Sequence, residues 1–228
     1  MKKVMVGTPL YDGRIDVWFV NAMRFTERLC AQHGIEITPI YMAFDSLVQR
    51  ARNDLVRMAL DEGYDELFFI DSDMEWKPED ALRLLSHKVD CVGAAYRKKT
   101  DEAEQYTVRA GTPPVPLDVN SGLWIVDGVG TGFTRITRPA LQALWDSSQK
   151  YRNEGRIGSW IFDVAPVDLG GELPDLVSED SMVCLKLRQL GYKVLLDPTF
   201  VPVHVGQKKY SGDFQLYVDN IIAARKAA

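Results

Sequence analysis

Asp71 and Asp73 stand one residue apart in FFIDSDMEW, directly after an apolar run. Two carboxylates flanking one residue at a strand end can share a hard divalent cation, because carboxylate oxygens suit Mg or Mn and the intervening Ser72 turns both side chains toward one mouth. A solvated acidic turn with a helix cap accounts for the same spacing. Three further sets stand out downstream. Glu179 and Asp180 begin a helical pattern in SEDSMVCLKLRQLG, where acidity also complements a helix dipole without any chemistry. His204 is a lone histidine in the β-like VPVHVG, a setting that suits a packed edge residue as well as a ligand. Lys208, Lys209 and Tyr210 follow closely, and a charged surface loop explains them equally well.

Hydrophobic periodicity supplies the elements that must position these residues. KVMVGTP (3–9) is β-rich and stopped by Pro9, and VWFVNAMRFTERLCAQHG (17–34) has helical apolar spacing at Val20, Met23, Leu29 and Cys30. IEITPIYM follows as a second strand. SLVQRARNDLVRMALDEG (46–63) stacks Leu47, Ala51, Leu55 and Ala59 four apart, and Gly63 closes it. ELFFID is a continuous apolar run of the kind buried on both faces of a parallel sheet. After Pro78, EDALRLLSH is helical and VDCVGAAY is the next strand. This alternation predicts a doubly wound α/β, three-layer sandwich with a mostly parallel central sheet. Such sheets bind ligands beyond the carboxyl ends of their strands, which is where Asp71 and Asp73 fall.

The second half changes character. RAGTPPVPLDVNSG (109–122) is a Pro/Gly loop, LWIVDGVGTGFTRITR is strand-like with a glycine-rich middle, and Pro139 opens a helix to Trp145. Residues 148–178 lack periodicity and are expected to form a long loop, with Trp160 and Phe162 either stacking on a ligand or packing a flap. EDSMVCLKLRQLG then forms a helix ended by Gly191, and YKVLLDP a strand. GVGTGF is not a dinucleotide fingerprint, since the third glycine is missing and a strand-like pattern follows where a helix is required.

Composition excludes several classes. A net charge of −5 and a pI near 5.3 argue against coating nucleic acid or anionic membrane by bulk electrostatics. Cys30, Cys91 and Cys184 are odd in number and far apart in apolar contexts, which predicts buried free thiols in a reducing cytosol. The start MKKVMVGTPL is unlike a signal peptide, and no run of about 18 apolar residues occurs. A soluble, cytoplasmic protein is expected.

Taken in order, VGTP, RARNDLV, FFIDSDM, GVGTGFTRI, SEDSMVCLKLRQLGYKVLLDP and HVG resemble the GT-A-fold, nucleotide-sugar-dependent glycosyltransferases from Val4 to Tyr210. The D-x-D after a hydrophobic strand and the E-D helix followed by a strand and a histidine are the most specific parts. Within that fold the sequence is similar to compact enzymes with an Arg-Asn pair upstream of the D-x-D. That group includes yeast-type mannosyltransferases and bacteriophage enzymes that modify hypermodified DNA bases with sugars.

The resemblance implies a metal-dependent transfer of sugar from a nucleotide-sugar donor, with a UDP-sugar favoured and Mn2+ or Mg2+ as cofactor. The acceptor hydroxyl would belong to a glycan, a protein or a hydroxylated DNA base. Residues 1–228 would form one GT-A-like domain, 1–100 its nucleotide-binding half and 101–228 the half that completes the acceptor and metal sites. Thr8, Pro9 and Leu10 would line the base pocket with Arg52 and Asn53 nearby, where an arginine can stack on a base or clamp a phosphate and an asparagine can read a base edge. A solvated helix face is the alternative for that segment. Asp71, with Ser72 beside it, would meet the ribose or the metal, and Asp73 the divalent ion. His204 would add a ligand that favours Mn over Mg. Lys208 or Lys209 would neutralise the leaving diphosphate. Gly128, Gly130, Thr131 and Gly132 would let the backbone approach the sugar or acceptor, unless they serve a tight strand bend. Asp180, and after it Glu179, is the candidate base if the reaction inverts configuration, whereas in a retaining route these carboxylates would bind hydroxyls. The basic clusters YRKK (96–99) and QKKY (207–210) could flank an anionic acceptor.

Rival readings predict different patterns. A haloacid-dehalogenase-like phosphohydrolase places its D-x-D on the first strand with Thr or Val two residues on, whereas here it lies deep in the chain and reads DSDMEW. A nucleotidyltransferase needs a glycine-rich phosphate loop after its first strand, of which VGTPLYDGR is only an echo. A non-catalytic nucleotide-sugar or carbohydrate-binding domain would not need Asp71, Asp73, Asp180 and His204 together.

Overall fold

β1 (Lys2–Leu10), α1 (Val17–Gln32), β2 (Ile35–Ala43), α2 (Val48–Asp61) and β3 (Glu66–Ile70) follow the alternation expected from periodicity. A two-residue β4 (Met74–Glu75) leads into α3 (Pro78–Ser86) and β5 (Cys91–Ala94). The chain continues through β6 (Val108–Arg109), β7 (Trp124–Ile125), β8 (Gly128–Val129), β9 (Phe133–Thr137) and α4 (Arg138–Ser147). Two hairpins, β10 (Lys150–Asn153) with β11 (Arg156–Ser159) and β12 (Ala165–Val167) with β13 (Asp175–Val177), precede α5 (Glu179–Gln189). β14 (Leu195–Asp197), β15 (Val203–Val205), β16 (Lys209–Tyr210) and α6 (Phe214–Ala227) complete it. This computed structural model describes residues 1–101, 103–110, 115–206 and 208–227; residues 111–114 of the expected Pro/Gly loop and Gln207 of the QKKY cluster lie outside them.

The central sheet has seven strands in the order β2-β1-β3-β9-β5-β14-β7. β9 and β7 run against the other five, so the sheet is mostly parallel as expected. Strand alternation sorts the core into two layers. Met5, Leu67 and Phe69 face α2, α4 and α5 through Leu55, Leu141 and Leu187. Val4, Val6, Phe68 and Ile70 face α1 and α3 through Phe19, Met23 and Leu84. The result is an α/β/α three-layer sandwich. β9, from the second half of the chain, lies between β3 and β5 of the first, so both halves share one sheet.

Three expectations change in detail. Residues 148–178 hold two hairpins rather than a structureless loop; the first turns through Glu154 and Gly155, both left-handed at φ 48° and 80°, as a two-residue hairpin turn requires. α1 buries Phe19, Ala22, Met23, Thr26 and Cys30, while Val20 is exposed, so the inward stripe is rotated from the predicted one. Leu47 caps α2 instead of packing under it. All three cysteines are free and buried. Among the described residues no helix is long and apolar enough to cross a membrane.

Candidate functional site

Where β3 ends, the main chain turns sharply, Met74 N–H donating to Asp71 O at 3.1 Å, and this turn presents Asp71 and Asp73. Each is then claimed by a different neighbourhood. β9 is antiparallel to β3, so the residue before it, Gly132, lies against Asp71, and Asp71 N–H donates to its carbonyl at 3.1 Å. β4 pairs antiparallel with β15 in a register that sets His204 opposite Met74, and Val205 N–H donates to Asp73 O at 2.7 Å. Strand pairing thus delivers a histidine from 131 residues later to the second carboxylate.

Arg52 organises the Asp71 side. It projects from the buried face of α2 and is 3% exposed. Its Nη2 donates to Asp71 at 3.0 Å, and its Nη1 donates to Glu179 Oε1 and Asp180 Oδ1 at 2.8 Å each. Burial opposes the guanidinium's charge, but Asp71, Asp180 and Glu179 outweigh it and hold its pKa above the ordinary value. The expected E-D pair therefore converges with the first carboxylate of the D-x-D around one arginine. Thr131 Oγ1 also donates to Asp180 Oδ1. Both contacts of Asp180 go to Oδ1, leaving Oδ2 with no hydrogen bond among the described residues. Asp180, and not Glu179, lines a cavity of about 210 Å3.

The Asp73 side is built differently. Nζ of Lys99 lies 2.5 Å from Asp73 Oδ2, and His204 Nε2 lies 3.5 Å from the same oxygen. Asp73 Oδ1 is buried without a hydrogen-bond partner among the described residues. Burial raises the Asp73 pKa, but His204 and Lys99 overcome it and hold the carboxyl at about 2. Nδ1 of His204 lies 2.9 Å from the Arg97 carbonyl and donates its proton there; with Nε2 also protonated the ring supports the Asp73 carboxylate, and with Nε2 bare it offers a lone pair to a cation instead. Gly206 lets the Lys99 stem pass, since a Cβ there would stand 3.2 Å from Lys99 Cδ.

Several expected positions are placed elsewhere. Lys208 pairs with Asp101, while Lys209 reaches Glu75 at 2.6 Å and lies over the Trp18 ring at 3.7 Å. Neither meets Asp73; Lys99, from the YRKK cluster, takes that position. Asn53 is fully buried and spends its amide on the backbone, accepting from Ile161 and Phe162 N–H at 3.1 and 2.8 Å and donating to Phe162 O at 3.1 Å. It is a clamp on that segment, not an exposed base reader. Phe162 packs edge-on against Phe69, the packing alternative for that aromatic. Thr8 is buried with its Oγ1 unpartnered among the described residues, Pro9 is half-buried and Leu10 buried at the end of β1. Register pairs Gly7 with Phe69, so Pro9 comes level with Asp71.

The glycines make room for Tyr96, which the sequence reading did not single out. A Cβ on Gly130 would stand 2.4 Å from the Tyr96 hydroxyl, and one on Gly132 would meet both that hydroxyl at 2.6 Å and Asp71 Oδ2 at 2.9 Å. Gly132 N–H donates to Tyr96 Oη at 3.0 Å, and the ring packs edge-on to His204. Burial, then Asp180 and Asp71, push the Tyr96 phenol well above its ordinary pKa and keep it neutral.

Among the described residues no three His, Cys, Asp or Glu side chains converge as a cation cluster, because Asp71 turns to Arg52 while Asp73 turns to His204. Two of these side chains do stand together, His204 Nε2 lying 3.5 Å from Asp73 Oδ2, and a carboxylate beside an imidazole is a donor pair whose chemistry suits a divalent ion.

No protein-family model matches the chain, and no curated protein matches its sequence. Among solved structures, A197 from STIV is similar at TM-score 0.51 and 18% identity, over 90% of this chain and 86% of that one. This likeness concerns the fold. Two weaker ones are a glycosyltransferase involved in the glycosylation of the major capsid of PBCV-1 (TM-score 0.35, 12% identity, 62% of each chain) and a putative nucleotide-diphospho-sugar transferase from Desulfovibrio desulfuricans G20 (TM-score 0.38, 14% identity, 90% of this chain and 84% of that).

Proposed function

We propose that this chain is a GT-A-type glycosyltransferase that moves a sugar from a nucleotide-diphosphate donor to an acceptor hydroxyl. One observation carries the reading: Arg52 joins Asp71, at the donor end of the cleft, to Asp180, in the wall of an adjoining cavity. A phosphohydrolase of the D-x-D type needs its motif on the first strand, and here it follows β3.

In this reading the donor is a UDP-sugar, its base assigned to the end of β1, where Pro9 is half-buried and the Thr8 hydroxyl lacks a partner among the described residues. Asp73 and His204 would hold Mn2+ or Mg2+, which when bound would stabilise the negative charge of the leaving diphosphate. Lys99, already beside Asp73, is the side-chain cation placed to meet that charge. Asp180 Oδ2 takes the acceptor proton as the acceptor oxygen bonds to the anomeric carbon. The bond from that carbon to the phosphate oxygen breaks with its electron pair leaving on the diphosphate, so the reaction inverts configuration. Arg52 and Thr131 fix Asp180 through Oδ1 and leave the second oxygen for the proton. Tyr96 and the glycines hold Asp71 and the Thr131 backbone in register. Residues 1–228 act as one domain, and three free thiols suit a reducing cytoplasm.

The test is a thermal-shift screen of UDP-, GDP- and CMP-sugars with and without Mn2+, followed by donor turnover. One nucleotide sugar should stabilise the protein in a Mn2+-dependent way. Asp73→Ala should abolish that response, whereas Glu79→Ala, in the first turn of α3, should keep it. Stabilisation by none of the donors, with no turnover of any, overturns the proposal.

A further inference from the structure

The cavity beside Asp180 has a charge pattern that sets it apart from the rest of the cleft. The chain has a net charge of −5, and the cleft floor carries Asp71, Asp73, Glu179 and Asp180. The cavity wall shares Asp180 with that floor but adds two cations, Lys98 and Arg109. Arg109 forms no ion pair among the described residues, and Lys98 Nζ has only a 3.5 Å contact to Gln105 Oε1. Asp127, the acidic residue whose N–H is bonded to the Arg109 carbonyl, is tied to Arg188.

Both cations stand on fixed backbone. Arg109 pairs with Gly128 across β6 and β8, and Lys98 N–H donates to Gln105 O at 2.8 Å. Ser178 and Ser181, 3.2 Å apart through their hydroxyls at the start of α5, add polar groups to the same wall. Two unpaired cations with paired hydroxyls match a phosphate group, whose oxygens accept several charge-assisted bonds and whose geometry suits a guanidinium fork. A long polyanion needs a continuous basic track, and two cations on an acidic protein do not make one.

We infer that this cavity binds an acceptor carrying a phosphate group next to its reactive hydroxyl, a phosphorylated polyol or sugar. Lys98 and Arg109 engage the phosphate, which aims the hydroxyl at Asp180. The acceptor role rests on the glycosyltransferase reading; the anion site itself does not.

Isothermal titration with glycerol 3-phosphate, glycerophosphoglycerol and glycerol separates monoester, diester and uncharged arms. Saturable binding of at least one phosphate ester and none of glycerol is expected. Lys98→Gln and Arg109→Gln should each weaken it about tenfold, as loss of one charge-assisted contact implies, and Arg109→Lys should recover part of it. Equal binding of glycerol, or undiminished binding by the double Gln variant, overturns the inference. So does a single-stranded oligonucleotide that binds more tightly with a salt slope well beyond two phosphates. Hydrolysis of UDP-, GDP- and CMP-sugars with Mn2+ on the same wild-type sample keeps the two readings apart. Donor turnover without phosphate-ester binding sinks the acceptor inference alone; phosphate-ester binding without turnover of any nucleotide sugar sinks the glycosyltransferase reading and leaves the anion site standing.

Discussion

Nζ of Lys99 lies 2.5 Å from Oδ2 of Asp73, so a side-chain cation occupies the acidic pole where a divalent ion would bind. A bound divalent ion would compete with Lys99 for that carboxylate. Lys99→Gln should therefore tighten Mn2+ binding, by about fivefold if the partly exposed pair contributes about 1 kcal/mol. Donor turnover should fall in the same variant, because no ammonium then meets the leaving diphosphate. Titration calorimetry with Mn2+ alone reads the first effect without a donor. Weaker Mn2+ binding in the variant would show that Lys99 supports the site instead of competing for it.

Arg52 is the counter-charge for three carboxylates at once. Arg52→Gln leaves Asp71, Glu179 and Asp180 facing one another, and breaking a buried ionic cluster costs about 3–5 kcal/mol. The expected result is a large drop in urea midpoint together with loss of turnover. Arg52→Lys keeps the charge but cannot fork between Asp71 and the E-D pair, so it should recover part of the stability and little of the activity. A stable Arg52→Gln protein would mean that the carboxylates relax apart and that Arg52 does not organise them.

Periodicity carried the first half of the fold well, because buried parallel strands and amphipathic helices leave strong local signals. FFIDSDM marked its own strand end, and SEDSM its helix start. What local sequence could not encode was pairing. The placement of β9 between β3 and β5, which puts Gly132 against Asp71, is a long-range choice with no short signature. The two hairpins of 148–178 escaped because their strands are three or four residues long and one turns through Glu-Gly, a weaker signal than Asn-Gly. Lys99 lay in a cluster already noticed as basic, but which lysine reaches Asp73 depends on β15 bringing Gly206 past it. Asn53 puts a polar amide on the buried face of α2 because it closes three backbone bonds to residues 161 and 162, partners more than a hundred residues away that the local sequence does not reveal.

That clamp is directly testable. Asn53→Ala removes acceptors for Ile161 and Phe162 N–H and the donor to Phe162 O, leaving buried backbone groups unpaired at a cost of about 2–4 kcal/mol. The variant should unfold at lower denaturant and exchange the amide hydrogens of 161 and 162 faster. An asparagine that read a nucleobase would behave differently, with nucleotide affinity falling and stability holding.

Asp197 offers a pH test away from the cleft. It is fully buried and accepts from Arg83 Nε at 2.6 Å and from Thr199 N–H and Oγ1 at 3.0 and 2.6 Å, with His87 Nε2 at 2.8 Å. These contacts tie α3 to the turn after β14. Burial opposes the charge, but the bonds from His87, Thr199 and Arg83 outweigh it and hold the carboxyl well below the usual carboxylate range. A depressed folded pKa stabilises the protein above the unfolded value of about 3.9, and that contribution drains away as pH falls below it. Asp197→Asn should cost about 2–3 kcal/mol at pH 7, since the amide cannot accept all of these bonds. The gap between wild type and variant should narrow steadily from pH 4 toward pH 2, as the wild-type carboxylate loses its advantage. Chemical denaturation of both proteins across that range decides it: a gap as wide at pH 2.5 as at pH 7 would place the cost in packing and not in the ionised carboxylate.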